Sequence, residues 1–370
     1  MAKKLISVWL SLTVLVLSTI TIFAEENVEG QFLNRNIDIN GNRIENYYLE
    51  DPFFLYQGHA YVPLTEESGE LLGFTAEMDW KSRTLKILKN QPVRTRLAEE
   101  KLKCNLRNLP AVILKDVSVQ LMSTPLKKDA DGQFVLFNDI FLGEFLRIPE
   151  LKVKVLDTEE YPLLQAGNVF YLPVRAFIDS GCFHWDAFFD NYSGLYISTE
   201  AGIDSMNFFD WEESSYNKGL VNYIMSKNRN LSAGWATMLV FLFKHEAKVN
   251  GVDVLLIMAM AEKESTFRAD VVGKGGPVGL LQILPKTAQG YGITREQLFD
   301  PHVNIEFGTK YIKDKLTQYN NNKTVALSAY NQGGMAISRG GYSTRYANKI
   351  EGAEKSIEKY LENNGYVSWN

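Results

Sequence analysis

The chain has 370 residues, long for one domain, and its 45% hydrophobic content is enough for two or three packed cores. A formal net charge of -5 excludes a nucleic-acid binder that works through a broad basic surface. The acid is unevenly spread: residues 25–234 carry 21 Lys+Arg against 31 Asp+Glu, and residues 235–370 carry 16 against 13. Two folding units of different character are expected.

Lys3 and Lys4 precede an apolar run from Leu5 to Phe23, closed by Ala24 ahead of Glu25 and Glu26. A basic start, an apolar centre and a small-residue junction predict a signal peptide over 1–24. The run is also long enough to span a bilayer, so an N-terminal anchor is the alternative. Either way the rest of the chain is placed outside the cytoplasm. Export permits a disulfide between Cys104 and Cys182, but spacing does not show that they meet. His59, His184, His245 and His302 are scattered, with no zinc spacing, so neither a metal site nor a cofactor is expected.

The fold class expected is α+β multidomain: a strand-rich N-terminal region with two α/β repeats, then a mainly α-helical domain. Tyr61-Val62-Pro63-Leu64 and Tyr171-Leu172-Pro173-Val174 are the repeat's clearest element. Each follows a turn with a glycine (Gly58, Gly167) and precedes a helix-like stretch ending near another (Gly73, Gly181). An aromatic-acidic patch then comes in each copy, Met78-Asp79-Trp80 and His184-Trp185-Asp186, before a closing β-prone run. This arrangement resembles the small module named after the N-terminal domain of copper amine oxidases, over 36–89 and 117–199. The resemblance implies no copper. It implies either a spacer or a module that binds the wall or a protein partner.

Residues 201–232 lose regular alternation and read as a connection, and 233–370 as the helical domain. Val254 to Ala261 is apolar all round, the pattern of a buried helix, and runs into Glu262-Lys263-Glu264-Ser265. Glu264 shares a stripe with Ile257, Met260 and Ala261, while Glu262 points about 200° away. A carboxyl leaving a buried apolar helix is desolvated, which raises its pKa and suits it to act as a general acid. On this helix alone, a carboxyl that caps or pairs locally is the competing reading.

More motifs follow in order: Gly273-Lys274-Gly275-Gly276-Pro277-Val278-Gly279-Leu280-Leu281-Gln282, Pro285-Lys286-Thr287-Ala288, Asn304-Ile305-Glu306-Phe307-Gly308, Ala329-Tyr330-Asn331-Gln332-Gly333 and Tyr346. Together with Glu264 they resemble the lysozyme-like, family-1 (soluble-type) lytic transglycosylase domain over about Lys244 to Ile350. The resemblance implies Glu264 as the catalytic residue. It implies substrate contacts at Gly279, Leu280, Leu281, Gln282, Tyr330, Asn331 and Tyr346. Leu281 stands where the family usually has Met, a volume-conserving change. Gly273, nine residues after Glu264, stands where many members have Ser.

Most glycosidases use two carboxyl groups. The nearest candidates for a second, Asp270 and Asp300, read instead as turn or capping residues. The resemblance therefore implies a secreted, wall-associated enzyme acting on peptidoglycan glycan strands. In that reading Glu264 cleaves the MurNAc-β-1,4-GlcNAc bond and 1,6-anhydro-MurNAc ends form. A hydrolytic muramidase of the same fold and a non-catalytic wall-binding or assembly protein stay open beside it.

Overall fold

The computed structural model describes residues 26–97, 108–123, 126–128, 134–136 and 151–366. The expected signal segment and Cys104 lie outside them. Among the described residues no helix is long and apolar enough to cross a membrane.

Strand β1 (Glu26–Phe32) precedes the first repeat, which runs through β2 (Asn36–Ile39), β3 (Asn42–Glu45), β4 (Phe54–Tyr56) and β5 (His59–Pro63). Helix α1 (Glu66–Leu72) and strands β6 (Phe74–Asp79) and β7 (Thr84–Lys89) complete it. Strand β8 (Leu109–Leu114) precedes the second copy, which begins with β9 (Ser118–Ser123), followed by a small hairpin, β10 (Leu126–Lys128) with β11 (Phe134–Leu136). It resumes at β12 (Lys152–Val155), β13 (Leu163–Ala166), β14 (Val169–Pro173), α2 (Val174–Asp179), β15 (Asp186–Asp190) and β16 (Gly194–Ser198).

The two copies are interwoven. A closed barrel has the order β1-β4-β5-β14-β13-β8, two strands from each repeat together with β1 and β8, which each precede one. At its centre the two Tyr-hydrophobic-Pro motifs pair with each other antiparallel, with Tyr61 opposite Pro173, Val62 opposite Leu172 and Pro63 opposite Tyr171. The flanking sheets are traded. β9 and β12 of the second repeat extend β7 and β6 of the first, while β2 and β3 of the first extend β16 and β15 of the second. Both exchanges run through a parallel pair, β7 with β9 and β16 with β2. This is the arrangement of a pseudo-two-fold axis through the Val62–Leu172 pair. Val62 and Leu172 are both fully buried. Lys89, at the end of β7, crosses the same boundary: its buried Nζ donates to the carbonyls of Phe183 and Thr199, and burial pushes its pKa down to about 8.

The helical region comprises α3 (Trp211–Lys227), α4 (Ala233–Asn250), α5 (Val254–Ser265), α6 (Pro285–Gln289), α7 (Pro301–Gln318), α8 (Lys323–Gln332), α9 (Gly334–Ser338) and α10 (Arg345–Asn363). The structure differs from the sequence expectation at 201–232, where most of the segment read as a connection is α3. The Asp210 side chain caps it by accepting from the Glu213 N–H, and Glu212 and Glu213 lie in its first turn, favourably placed against the helix dipole. Tyr216, Leu220, Val221, Tyr223 and Ile224 are buried in the same core as α4, α5 and α10. Polar Asn217, Lys218 and Gly219 interrupt that stripe and mask it in the sequence. Asn217 is itself buried, donating to the Tyr192 carbonyl at 2.6 Å.

The two regions meet where β2 and β3 lie against α3 and α4. Buried Glu213 accepts from Arg43 at 2.5 Å and from Lys244 at 2.7 Å, and Glu45 pairs with Lys248. The Arg35 guanidinium lies 4.4 Å from the centre of the Phe241 ring. A cavity of about 500 Å³ opens along this seam, lined by these groups together with Tyr216 and Val254. Val254 opens α5 and Glu264 nearly closes it, so the cavity lies about 15 Å along the helix from that carboxyl.

Candidate active site

Helix α5 is apolar on every side, and Leu256 to Ala261 are buried without a break. It stops abruptly just after Glu264. Thr266 and Phe267 both adopt left-handed backbone, with φ of 53° and 59°. Their N–H groups close back on the carbonyls of Glu262 and Ala261. Two consecutive non-glycine residues in that region need strong support. It comes from the fully buried Phe267 ring and from Asn228, whose side-chain amide donates to the Thr266 carbonyl at 3.0 Å. Glu264 is thereby held in the last turn, partly buried at the edge of the core.

Burial raises the Glu264 carboxyl above its ordinary pKa, and the Tyr346 hydroxyl works weakly against that by favouring the carboxylate. The Tyr346 hydroxyl is buried, and the group it faces is the Glu264 carboxyl. Tyr330 and Tyr346 stack with ring centroids 6.4 Å apart and planes 5° from parallel. Both hydroxyls stay neutral, held well above the usual phenol range by burial first and then by the Glu264 charge. The side chains facing Glu264 in this way are tyrosines. Glu262, two residues earlier, turns to the other side as the helical spacing predicts. It accepts from Tyr223 Oη at 2.5 Å and pairs with Lys263 at 2.6 Å.

The glycine-rich segment forms the neighbouring wall. Residues 271–283 fold into a compact loop with bridges Val272–Val278 and Val278–Ile283. Asn304, buried on α7, pins it: its carboxamide donates to the Val278 and Leu298 carbonyls at 3.0 and 2.8 Å and accepts from the Leu281 N–H at 2.8 Å. Gly279 is required here, because its φ is 79° and a Cβ would lie 2.3 Å from Asn304 Nδ2. Sequence reading quoted Asn304 within a motif and missed this role. Its signal was an amide sitting beside Ile305 on the buried face of α7.

The residues expected to contact substrate separate into two groups. Tyr330 and Tyr346 come together beside Glu264, and Asn331 is exposed next to them. Leu280 and Leu281, in contrast, are fully buried, with Leu281 packed on Gly308. Their side chains form core behind the cleft, and it is the Leu281 carbonyl that matters locally, accepting from Tyr330 Oη at 2.9 Å. Gln282 folds back, its amide donating to the Val271 and Gly279 carbonyls at 3.2 and 2.9 Å. Its carbonyl oxygen fills the space over Gly273, where an added Cβ would lie 2.2 Å from it. The glycine at 273 and the folded-back glutamine are thus one packing solution. Asp300 caps α7 by accepting from the His302 N–H at 2.9 Å, and Asp270 is exposed in a turn.

A strand-rich region is thus followed by a helical domain in which one partly buried glutamate lies beside two stacked tyrosines. Residues 241–351 match the Transglycosylase SLT domain family. Over 114 residues the chain is 30% identical to the membrane-bound lytic murein transglycosylase C of Glaesserella parasuis, covering 26% of this chain and 31% of that protein. Over 101 residues it is 35% identical to the soluble lytic murein transglycosylase of Escherichia coli, covering 25% of this chain and 16% of that protein. The chain thus spans about a third or less of the length of these relatives. Among solved structures, the soluble lytic transglycosylase SLT70 of Escherichia coli is similar at 23% identity and a TM-score of 0.27, over 42% of this chain and 30% of that one.

Proposed function

We propose that the protein is a peptidoglycan lytic transglycosylase whose acid and base are one residue, Glu264. The observation that carries this is a single partly buried carboxyl at the end of an apolar helix, beside two stacked tyrosines. Burial favours the protonated form of Glu264, which donates its proton to the glycosidic oxygen between N-acetylmuramic acid and N-acetylglucosamine as that bond breaks. The resulting carboxylate accepts the proton of the muramic C6 hydroxyl, whose oxygen bonds to C1 and closes the 1,6-anhydro ring. The substrate supplies the nucleophile, so a second carboxylate is not needed. The Tyr346 hydroxyl, beside the Glu264 carboxyl, is placed to hydrogen-bond a sugar oxygen next to the acid. In this reading the apolar segment ahead of Glu25 exports the chain, and the interwoven repeats act as a spacer or wall-binding module.

The test is digestion of purified peptidoglycan with mass analysis of the products. Anhydro ends, lighter by one water than hydrolytic ones, are expected from the native chain and are absent with Glu264→Gln. Reducing ends would make it a muramidase. Unchanged cleavage by the variant would remove Glu264 from the chemistry.

A further inference from the structure

We propose that Gln332 is a positioning residue for this site: its carboxamide clamps the segment before α10 and so fixes the Tyr346 ring over Glu264. The inference rests on the reading of Glu264 as the acid. Gln332 is the last residue of α8, two beyond Tyr330. Its Nε2 donates to the Ser343 carbonyl at 2.6 Å, and its Oε1 accepts from the Ser343 N–H at 2.9 Å. Both hydrogen-bonding groups of one peptide position are therefore taken by one side chain, three residues before Tyr346.

The clamp holds the turn that leads into α10, just ahead of the buried Ala347 that seats the first turn of that helix. Gly340, with φ of 71°, and Gly341 precede Ser343, and a Cβ on either would meet nothing. The α10 N-cap, Thr344, makes no side-chain capping bond. The Tyr346 hydroxyl faces the Glu264 carboxyl, so the position of its ring bears directly on that group. Tyr330, in contrast, is tied to the Leu281 carbonyl. Gln332 thus joins the end of the fixed ring's helix to the start of the other ring's helix, and the near-parallel stack follows from that join. A small misplacement of a group beside the reacting centre is costly in rate even when binding survives.

The experiment compares the mature native chain with Gln332→Met, which keeps the length and loses both bonds, and Gln332→Glu, which keeps the acceptor for the Ser343 N–H. Three quantities are read: hydrogen exchange at Ser343, the pH profile of glycan cleavage, and the Glu264 carboxyl titration by NMR. Gln332→Met is expected to speed exchange at Ser343 and to lower kcat about tenfold with little change in KM. It should also move the Glu264 midpoint and the alkaline limb of activity upward, since Tyr346 is the hydroxyl that favours the carboxylate. Gln332→Glu is expected to fall between the two. Faster exchange with an unchanged kcat and an unchanged Glu264 midpoint would make the clamp merely structural and overturn the proposal, as would unchanged exchange. Failure of the native chain to cleave glycan would sink the transglycosylase reading, while the exchange and titration arms would still decide the clamp.

Discussion

The strand-rich and helical regions solve the same problem, burying a core, by opposite routes. In the strand-rich region each repeat is incomplete alone: β2 and β3 find their sheet in the other copy, as do β9 and β12. In the helical region the apolar α5 is wrapped by its neighbours α4 and α10, and its last turn, at the edge of the core, holds Glu264. A region whose partners are traded should open as a unit. A region built around one buried helix can carry a perturbed carboxyl at its rim.

The largest expected effect is on chemistry alone. Glu264→Gln should lower glycan cleavage by about 10²–10⁴-fold while circular dichroism and the unfolding midpoint stay native or rise, because a desolvated carboxyl is replaced by a neutral isostere. A loss of fold would show the carboxyl to be structural and would blur the contrast between regions.

Leu172→Ala, at the centre of the paired motifs, should cost about 2–5 kcal/mol. Hydrogen exchange should rise together in β1–β7 and β8–β16 and leave α5 protected. Opening of the second repeat alone would break the claim of interweaving.

Glu246 sharpens the comparison within the helical region, as a buried carboxyl on α4 well away from Glu264. Burial, and then the charge of Glu306, push its pKa up to about 7 from 4.5. A raised carboxyl pKa gives stability that is full below 4.5 and lost as pH rises through 7. Glu246→Gln should therefore stabilise by up to about 3 kcal/mol at high pH and by nothing under acidic conditions. Denaturant titrations at both pH extremes check it, and a gain equal at both would dismiss the buried charge as the cause.

The smallest effect is at Gly273. Gly273→Ser should displace the Gln282 carboxamide and lose its two loop bonds, about 1–2 kcal/mol by thermal unfolding of the helical region. A crystal structure of the variant with Gln282 unmoved would contradict the packing seen here.

Much of the site was legible because it is local. The apolar run, the 3.6-residue stripe and the abrupt Glu264-Ser265-Thr266-Phe267 end lie within one helix, and sequence spacing alone separates Glu264 from Glu262. The Tyr-hydrophobic-Pro repeat was equally readable. The helix over 211–227 was not, because its buried face includes Asn217 and Glu213, polar groups stabilised only by partners such as Tyr192, Arg43 and Lys244. Leu280 and Leu281 sit in the cleft motif, yet their burial depends on Gly308 and the rest of a core distant in sequence.

What the sequence by itself determined is therefore the local chemistry: two repeats, a buried helix and one carboxyl at its end. Only the tertiary structure decided that the repeats exchange strands, because one repeat has no way to encode in its own pattern which copy its edge will pair with. It also decided which motif residues face the cleft, since a backbone turn that buries Leu281 and folds Gln282 over Gly273 is settled by contacts from Asn304 and Gly308, more than twenty residues away.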